Sequence, residues 1–332
     1  MRDVCLASMV GIAAIGITSC GSDTQGTDST SDDLVEAAPL GPEPSGKPTQ
    51  YPILFGHGFG GSSSRLTFHT TIVQALRNDH HLVDVDDVPP FAPVAVRAKA
   101  LAAKVDSLLD WTHAEKLNLV VHSMGGLDAR ELISVLGYGD RIASVTTISS
   151  PHRGSGVADV GLQIVAGASD EALDALAALY GKTFSDLADD SDLRAALYDI
   201  SEANADAFDE SHPDDGRVVY QSWAGVSSIA CVPNPADKAA CGGALLAHRG
   251  RADCMDPILV ASAAFAAGTS LLPNDGLVTV RSAVWGNFRG CFPADHADEI
   301  GAFDDPPRNT HTGFDYIRFY RNLAFDLADQ GL

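Results

Sequence analysis

The stretch "LNLVVHSMGGLDARELISVLG" (117–137) constrains the fold more than any other part of the chain. An apolar-rich run stops at a His-Ser pair, and two glycines then open a segment whose apolar residues recur at helical spacing. This is a strand that turns sharply into a helix, with Ser123 at the tip. Such a turn presents a serine hydroxyl on strained backbone, and small residues flank it because strand and helix approach closely. The helix N-terminus behind it offers N–H groups and positive potential to a developing anion. Gly125 and Gly126 supply small residues on the helix side, but Val121 stands where the pattern G-x-S-x-G has its first glycine. Ser123 therefore has two readings, a nucleophile or an ordinary turn serine. The first sets a condition: the glycines at 125 and 126 must leave room for the valine.

The surrounding chain alternates short apolar runs with helical patterns. "YPILF" (51–55), "LVDVDDV" (82–88), "LNLVV" (117–121) and "IASVTTIS" (142–149) read as strands, and 65–79, 93–112 and 124–137 as helices. That order predicts an α/β fold, a mostly parallel sheet flanked by helices. Between 155 and 215 the pattern changes to apolar stripes at helical spacing set among Asp and Glu. These amphipathic helices either pack on the core or form a helical lid insertion over an apolar cleft.

Acidic residues outnumber basic ones 44 to 22, for a net charge of −22, which argues against nucleic acid as a partner. Residues 1–20 carry Arg2, an apolar stretch and the ending Ile17-Thr18-Ser19-Cys20, the layout of a lipoprotein-type signal peptide. Cys20 is then the expected site of lipidation, which would anchor an exported protein to the membrane of the cell envelope; a plain cleaved signal would leave it secreted. Residues 21–50 are rich in Gly, Ser, Thr, Asp and Pro and read as a disordered tether, with the folded domain over 51–332. Four further cysteines, 231, 241, 254 and 291, suggest two disulfides in an exported chain; sequence proximity favours 231–241 and 254–291.

Two more constellations bear on Ser123. The glycine-rich "FGHGFGG" (55–61) follows an early strand, where hydrolases of this organisation place one oxyanion N–H. Phe59 is the expected donor, with Met124 N–H as the second, and His57 is expected to order the loop. Downstream, "PNDGLVTV" (273–280) places Asp275 in a turn before an apolar, strand-like run, and "DHADEIG" (295–301) contains His296. A serine, an acid and a histidine in that chain order can complete a triad. His248 and His311 are rival bases; the first precedes Asp275, and the second sits just before what reads as the last helix.

Taken together, "YPILFGHGFGG", "VVHSMGGLDAR", "SSPHRGS", "YQSWAG", "MDP", "NDGLV" and "DHADEIG" resemble the bacterial triacylglycerol lipases of the Pseudomonas/Burkholderia type, in the same order over residues 51–303. The resemblance implies an α/β-hydrolase fold with a lid near 155–215. It implies Ser123, Asp275 and His296 as catalytic residues, with Phe59 and Met124 forming the oxyanion hole. It implies an acylglycerol or other ester substrate at a lipid–water interface; a short-chain carboxylesterase or polyester depolymerase is the alternative on the same triad. A non-catalytic lipid-binding lipoprotein is the reading from another class. The resemblance further implies a structural Ca2+ held by Asp256 and Asp298, and many relatives need a lipase-specific folding chaperone, a candidate partner here.

Overall fold

The structure, a computed structural model, describes residues 43–61, 68, 70–162, 190–242, 252–268, 271–302, 309 and 311–332. The signal segment, Cys20, His248 and residues 163–189 of the expected lid lie outside them.

The apolar runs form a six-stranded sheet, β1 (Ile53–Gly56), β2 (Val83–Val85), β3 (Leu117–His122), β4 (Ile142–Ile148), β5 (Val219–Gly225) and β8 (Asn287–Phe292), in the order β2-β1-β3-β4-β5-β8. Every pair is parallel, as the alternation of strands and helices requires. A two-stranded pair, β6 (Ser227–Ser228) and β7 (Asp253–Cys254), lies outside this sheet and is followed by helix α8 (Val260–Ala267).

Because side chains alternate along a strand, each strand feeds two cores. Ile53, Phe55, Val120 and Ile148 face one side, covered by α1 (Thr70–Asn78) and α10 (Tyr316–Asp329). Leu54, Leu119, Val121 and Val145 face the other, covered by α2 (Val94–Thr112) and α3 (Gly125–Ser134). Sheets buried on both faces read as near-continuous apolar runs, which is why these strands stood out in the sequence.

Three differences from expectation have physical causes. First, "GLVTV" (276–280) forms a turn closed by an Asn274–Thr279 bridge and then the short helix α9 (Val280–Ala283), not a strand. The Asn274 and Asp275 side chains bond backbone N–H groups two and three residues ahead, and this local capping outcompetes a sheet ladder. Second, the disulfides are Cys231–Cys254 and Cys241–Cys291, not 231–241 and 254–291. Pairing of Ser228 with Cys254 in β6/β7 brings Cys231 to Cys254. Cys241, at the end of α7 (Asp237–Ala240), then sits in the core beside Cys291 of β8. Third, residues 43–50 are tied to the domain, so packed chain begins upstream of Tyr51. Glu43 pairs with Arg318 and Arg321, and Gln50 N–H donates to the Leu332 carbonyl.

Described parts of the 155–215 segment are helical: α4 (Gly156–Gly161), α5 (Ser191–Asp199) and α6 (Glu202–Ser211). Their apolar faces (Ala158, Leu193, Ala196, Leu197, Ile200, Phe208) pack with Phe59, Met124 and Leu127. No helix of the described residues is long and apolar enough to cross a membrane.

Candidate active site

Strand β3 ends at His122, and Ser123 takes φ 54°, left-handed backbone that a non-glycine residue rarely adopts. Its N–H donates to the Ile148 carbonyl at 2.9 Å, and the chain then enters α3 through Met124. This is the sharp strand-to-helix turn that the sequence predicts. Val121 is fully buried on the α3 side. A Cβ placed on Gly125 would lie 3.3 Å from Val121 Cβ, and one on Gly56 would lie 2.9 Å from Val121 Cγ1. The room for the valine therefore comes from Gly125 and Gly56. Gly126 does not contribute; it faces Ser150 and Thr147.

The glycine loop lies against the serine. A Cβ on Gly58 would come within 2.5 Å of Ser123 Cβ and 3.0 Å of its Oγ, so only glycine permits this approach. Phe59, the next residue, lines the cleft at Ser123 with Pro151, Ser155, Val157, Ala158, Leu197, Ile200, Leu277 and Val278. The cleft is apolar and narrow, about 30 Å³. A larger cavity of about 390 Å³, lined by Arg153, Asp206, Asp209 and Arg281, does not include Ser123, so size alone would misplace the site. His57 is buried with Nδ1 2.9 Å from the Gly58 carbonyl oxygen, and burial and Arg97 hold its pKa below the ordinary value. It orders the loop as a neutral ring.

Asp275 and His296 are brought together. Asp275 Oδ2 accepts from His296 Nδ1 at 2.7 Å, and its Oδ1 accepts from the Leu277 and Val278 N–H groups. Burial pushes this carboxyl up, but the His296 charge and these hydrogen bonds outweigh it and hold it below the usual range. An imidazole whose Nδ1–H is spent on a buried carboxylate has Nε2 left to accept a proton. His296 reaches the serine turn through its neighbour, with the His122 and His296 rings 4.3 Å apart. Of the rival bases, His311 is held by an Asn309-centred turn, and His248 lies outside the described residues.

One buried group was missed. Glu299, three residues past His296, accepts from Ser149 Oγ at 2.6 Å and sits 3.1 Å from His122 Nε2. Burial, and then the nearby Asp275 charge, raise its carboxyl well above the ordinary value. The Glu299 side chain occupies the space beside Gly225, where a Cβ could not fit. The available signal was a glutamate one short turn beyond a candidate base.

The acidic cluster differs from the expected pair. Asp298 groups with Asp253 and Asp295, their ligand atoms all within 4.8 Å of one another, and Asp256 is not among them. Asp256 Oδ1 instead accepts from Ile258 N–H, and its own N–H donates to Asp295 Oδ2, the capping role open to an Asp-Pro pair. Burial pushes Asp295 up to about 7, with the Asp253 charge adding to the rise.

No protein-family model matches the chain. It is 28% identical over 308 residues to the triacylglycerol lipase of Vibrio cholerae, covering 86% of this chain and 89% of that one. It is 30% identical over 259 residues to triacylglycerol lipase 2 of Saccharomyces cerevisiae, covering 74% and 68%. Among solved structures, a metagenomic carboxyl esterase superposes with a TM-score of 0.62 at 20% identity, over 87% of this chain and 79% of that one, which bears on fold. With this sheet, this serine turn and these relatives, the chain belongs to the triacylglycerol lipases of the α/β-hydrolase type and is an ester hydrolase.

Proposed function

We propose that Ser123 is the nucleophile of a Ser-His-Asp triad that hydrolyses acylglycerols through an acyl-enzyme. His296 Nε2 takes the proton from Ser123 Oγ as the oxygen attacks the ester carbonyl. The same imidazole returns the proton to the leaving alcohol, and water then releases the fatty acid with His296 again as base. Asp275 holds the ring in the productive tautomer and stabilises its positive charge. Phe59 and Met124 N–H groups receive the oxyanion, Met124 from the start of a helix whose dipole favours negative charge there. The observation that carries this reading is the left-handed turn at Ser123, which places a serine on the floor of an apolar cleft.

Long acyl chains are the favoured substrate because the curated relatives are named triacylglycerol lipases and the cleft wall is apolar. One observation favours a short-chain esterase instead. The cleft at Ser123 is small, about 30 Å³, which suits a short acyl group better than a long one unless α5 and its neighbours part, the lid reading of 155–215. The test is wild type beside Ser123→Ala on p-nitrophenyl esters of rising chain length and on emulsified triacylglycerol. Unchanged activity in Ser123→Ala would sink the nucleophile, and activity restricted to short soluble esters would sink the lipase substrate.

A structural calcium fits the residues present. Asp253, Asp295 and Asp298 offer converging hard oxygens, with Asp253 held by Ser227 and Asn309 and Asp295 by the Asp256, Ala297 and Asp298 N–H groups. A bound divalent cation would hold these three carboxylates together and so steady the loop carrying His296. The two disulfides support export to an oxidising compartment, and acylation of Cys20 follows from the sequence alone.

A further inference from the structure

Arg97 is the largest fully buried side chain among the described residues. It projects from α2 among Val94, Ala98 and Leu101, positions where an apolar residue would pack at no electrostatic cost. Burying a guanidinium is costly unless its donors are satisfied, so its contacts carry the explanation. Nη2 donates to the His57 carbonyl at 2.7 Å and Nη1 to the Pro89 carbonyl at 2.9 Å. Nε donates to Asp128 Oδ2 at 2.9 Å, and Asp128 belongs to α3, the helix that opens at Met124. On the other side of the same residue, the His57 N–H donates to Asp86 Oδ1 at 3.2 Å, and Asp86 N–H donates to the Phe55 carbonyl. Both peptide groups of His57 are thus gripped by buried charged side chains. Gly60 N–H completes the loop's attachment at the Pro90 carbonyl, 2.7 Å away.

We propose that Arg97 and Asp86 act as a clamp on His57 that sets the glycine loop against α3, making both positioning residues for acyl transfer. The proposal rests on the reading of Ser123, Phe59 and Met124 given above. Phe59 lies two residues beyond the clamped one, and Asp128 ties the same guanidinium to the helix that begins after Met124. One rigid fork therefore references both oxyanion donors to each other. Only a planar guanidinium can serve a carboxylate and two carbonyls in fixed directions at once. Preorganised donors of this kind stabilise a developing oxyanion because they need no rearrangement as charge appears. The charge balance agrees with a positioning role. Burial pushes Asp86 up to about 7 and Asp128 up to about 6 in spite of Arg97, so the trio is a poor device for stability alone.

The test uses the full chain and a soluble ester, p-nitrophenyl butyrate, with Arg97→Lys, Arg97→Ala and Asp86→Ala beside Ser123→Ala, each also followed by thermal melting. Turnover per folded molecule is expected to fall roughly 10- to 100-fold in the three clamp variants with KM within about 2-fold, because a displaced donor is lost mainly in the transition state. Millimolar guanidinium should restore several-fold of the kcat of Arg97→Ala and none to Asp86→Ala. Unchanged kcat in the clamp variants, with Ser123→Ala inactive, overturns the clamp and leaves the nucleophile standing. Retained activity in Ser123→Ala overturns the underlying reading instead. Should Arg97→Ala not fold, Arg97→Lys and Asp86→Ala decide the matter. Loss of fold in all three, or kcat and KM degrading together without guanidinium rescue, assigns the trio a structural role and refutes the proposal.

Discussion

Replacing Gly125 by Ala places a methyl carbon 3.1 Å from the Gly56 carbonyl oxygen, 3.1 Å from that of His57 and 3.3 Å from Val121 Cβ. All three contacts are tight, and two are to backbone of the loop that leads to Phe59. Relief requires this loop to retreat by a few tenths of an ångström. Replacing Gly126 instead puts the carbon 2.6 Å from Ser150 Cβ, closer still to Ser150 Oγ, and 3.2 Å from Thr147 Cγ2. Rotating Ser150 cannot move its Cβ, so the cost falls on the packing of α3 against β4. Overpacking of this sort costs about 1–3 kcal/mol, partly offset in a helix by the lower unfolded-state entropy of alanine.

The two neighbours should therefore separate stability from turnover. Gly125→Ala is expected to lose about 1 kcal/mol, a fall in Tm of roughly 2–4 °C, and about 10-fold in kcat per folded molecule. Gly126→Ala should lose about 3 kcal/mol, roughly 6–12 °C, with kcat within about 3-fold of wild type. Thermal melting and turnover of p-nitrophenyl butyrate measure both. The reverse pattern, or an unchanged kcat in Gly125→Ala, would show that the loop over Ser123 is not held by this close approach.

Three other outcomes follow from the same structure. Chelation should lower Tm in wild type and in Asp256→Asn but not in Asp253→Asn; no chelator response in wild type would remove the calcium. Asp86 gives a pH signature. The unfolded chain releases this proton near 3.8 and the native state near 7, so the native state binds more protons between those values and loses stability as pH rises. Asp86→Asn should accordingly gain about 3 kcal/mol relative to wild type between pH 4.5 and 7.5 in urea unfolding, and a pH-independent difference would refute the burial argument. The Cys241–Cys291 bridge spans 50 residues, and removing it in Cys241→Ala/Cys291→Ala should cost about 4 kcal/mol; a loss below about 1 kcal/mol would show a constrained unfolded state already present without it.

Most of what rested on local pattern was legible in the sequence, with the strand-like run at 276–280 the exception. Strands buried on both faces announce themselves as apolar runs, and a serine between such a run and a glycine-led helix leaves one sensible backbone path. Chain order then singled out Asp275 and His296, and the structure brings them to 2.7 Å. What rested on burial was harder to read. Arg97 stands in "VAVRAKAL", on the same helical stripe as Val94 and Leu101, where a charged residue contradicts an apolar face. Such a contradiction marks a residue kept at a cost, but nothing in the spacing says which carbonyls satisfy it. The carboxylates show the limit most clearly. Asp253 and Asp256 stand three apart, each two or three residues from a feature that could justify it, and only the pairing of β6 with β7 turns Asp253 toward Asp295. The Asp-Pro cap at 256 is a purely local satisfaction, complete without a cation. A metal site needs the opposite, acids drawn together from distant segments at a cost that a bound cation would relieve. Burial, with the Asp253 charge adding to it, raises the Asp295 carboxyl to about 7, and it is this grouping that puts Asp253 in place of Asp256 in the calcium site proposed above.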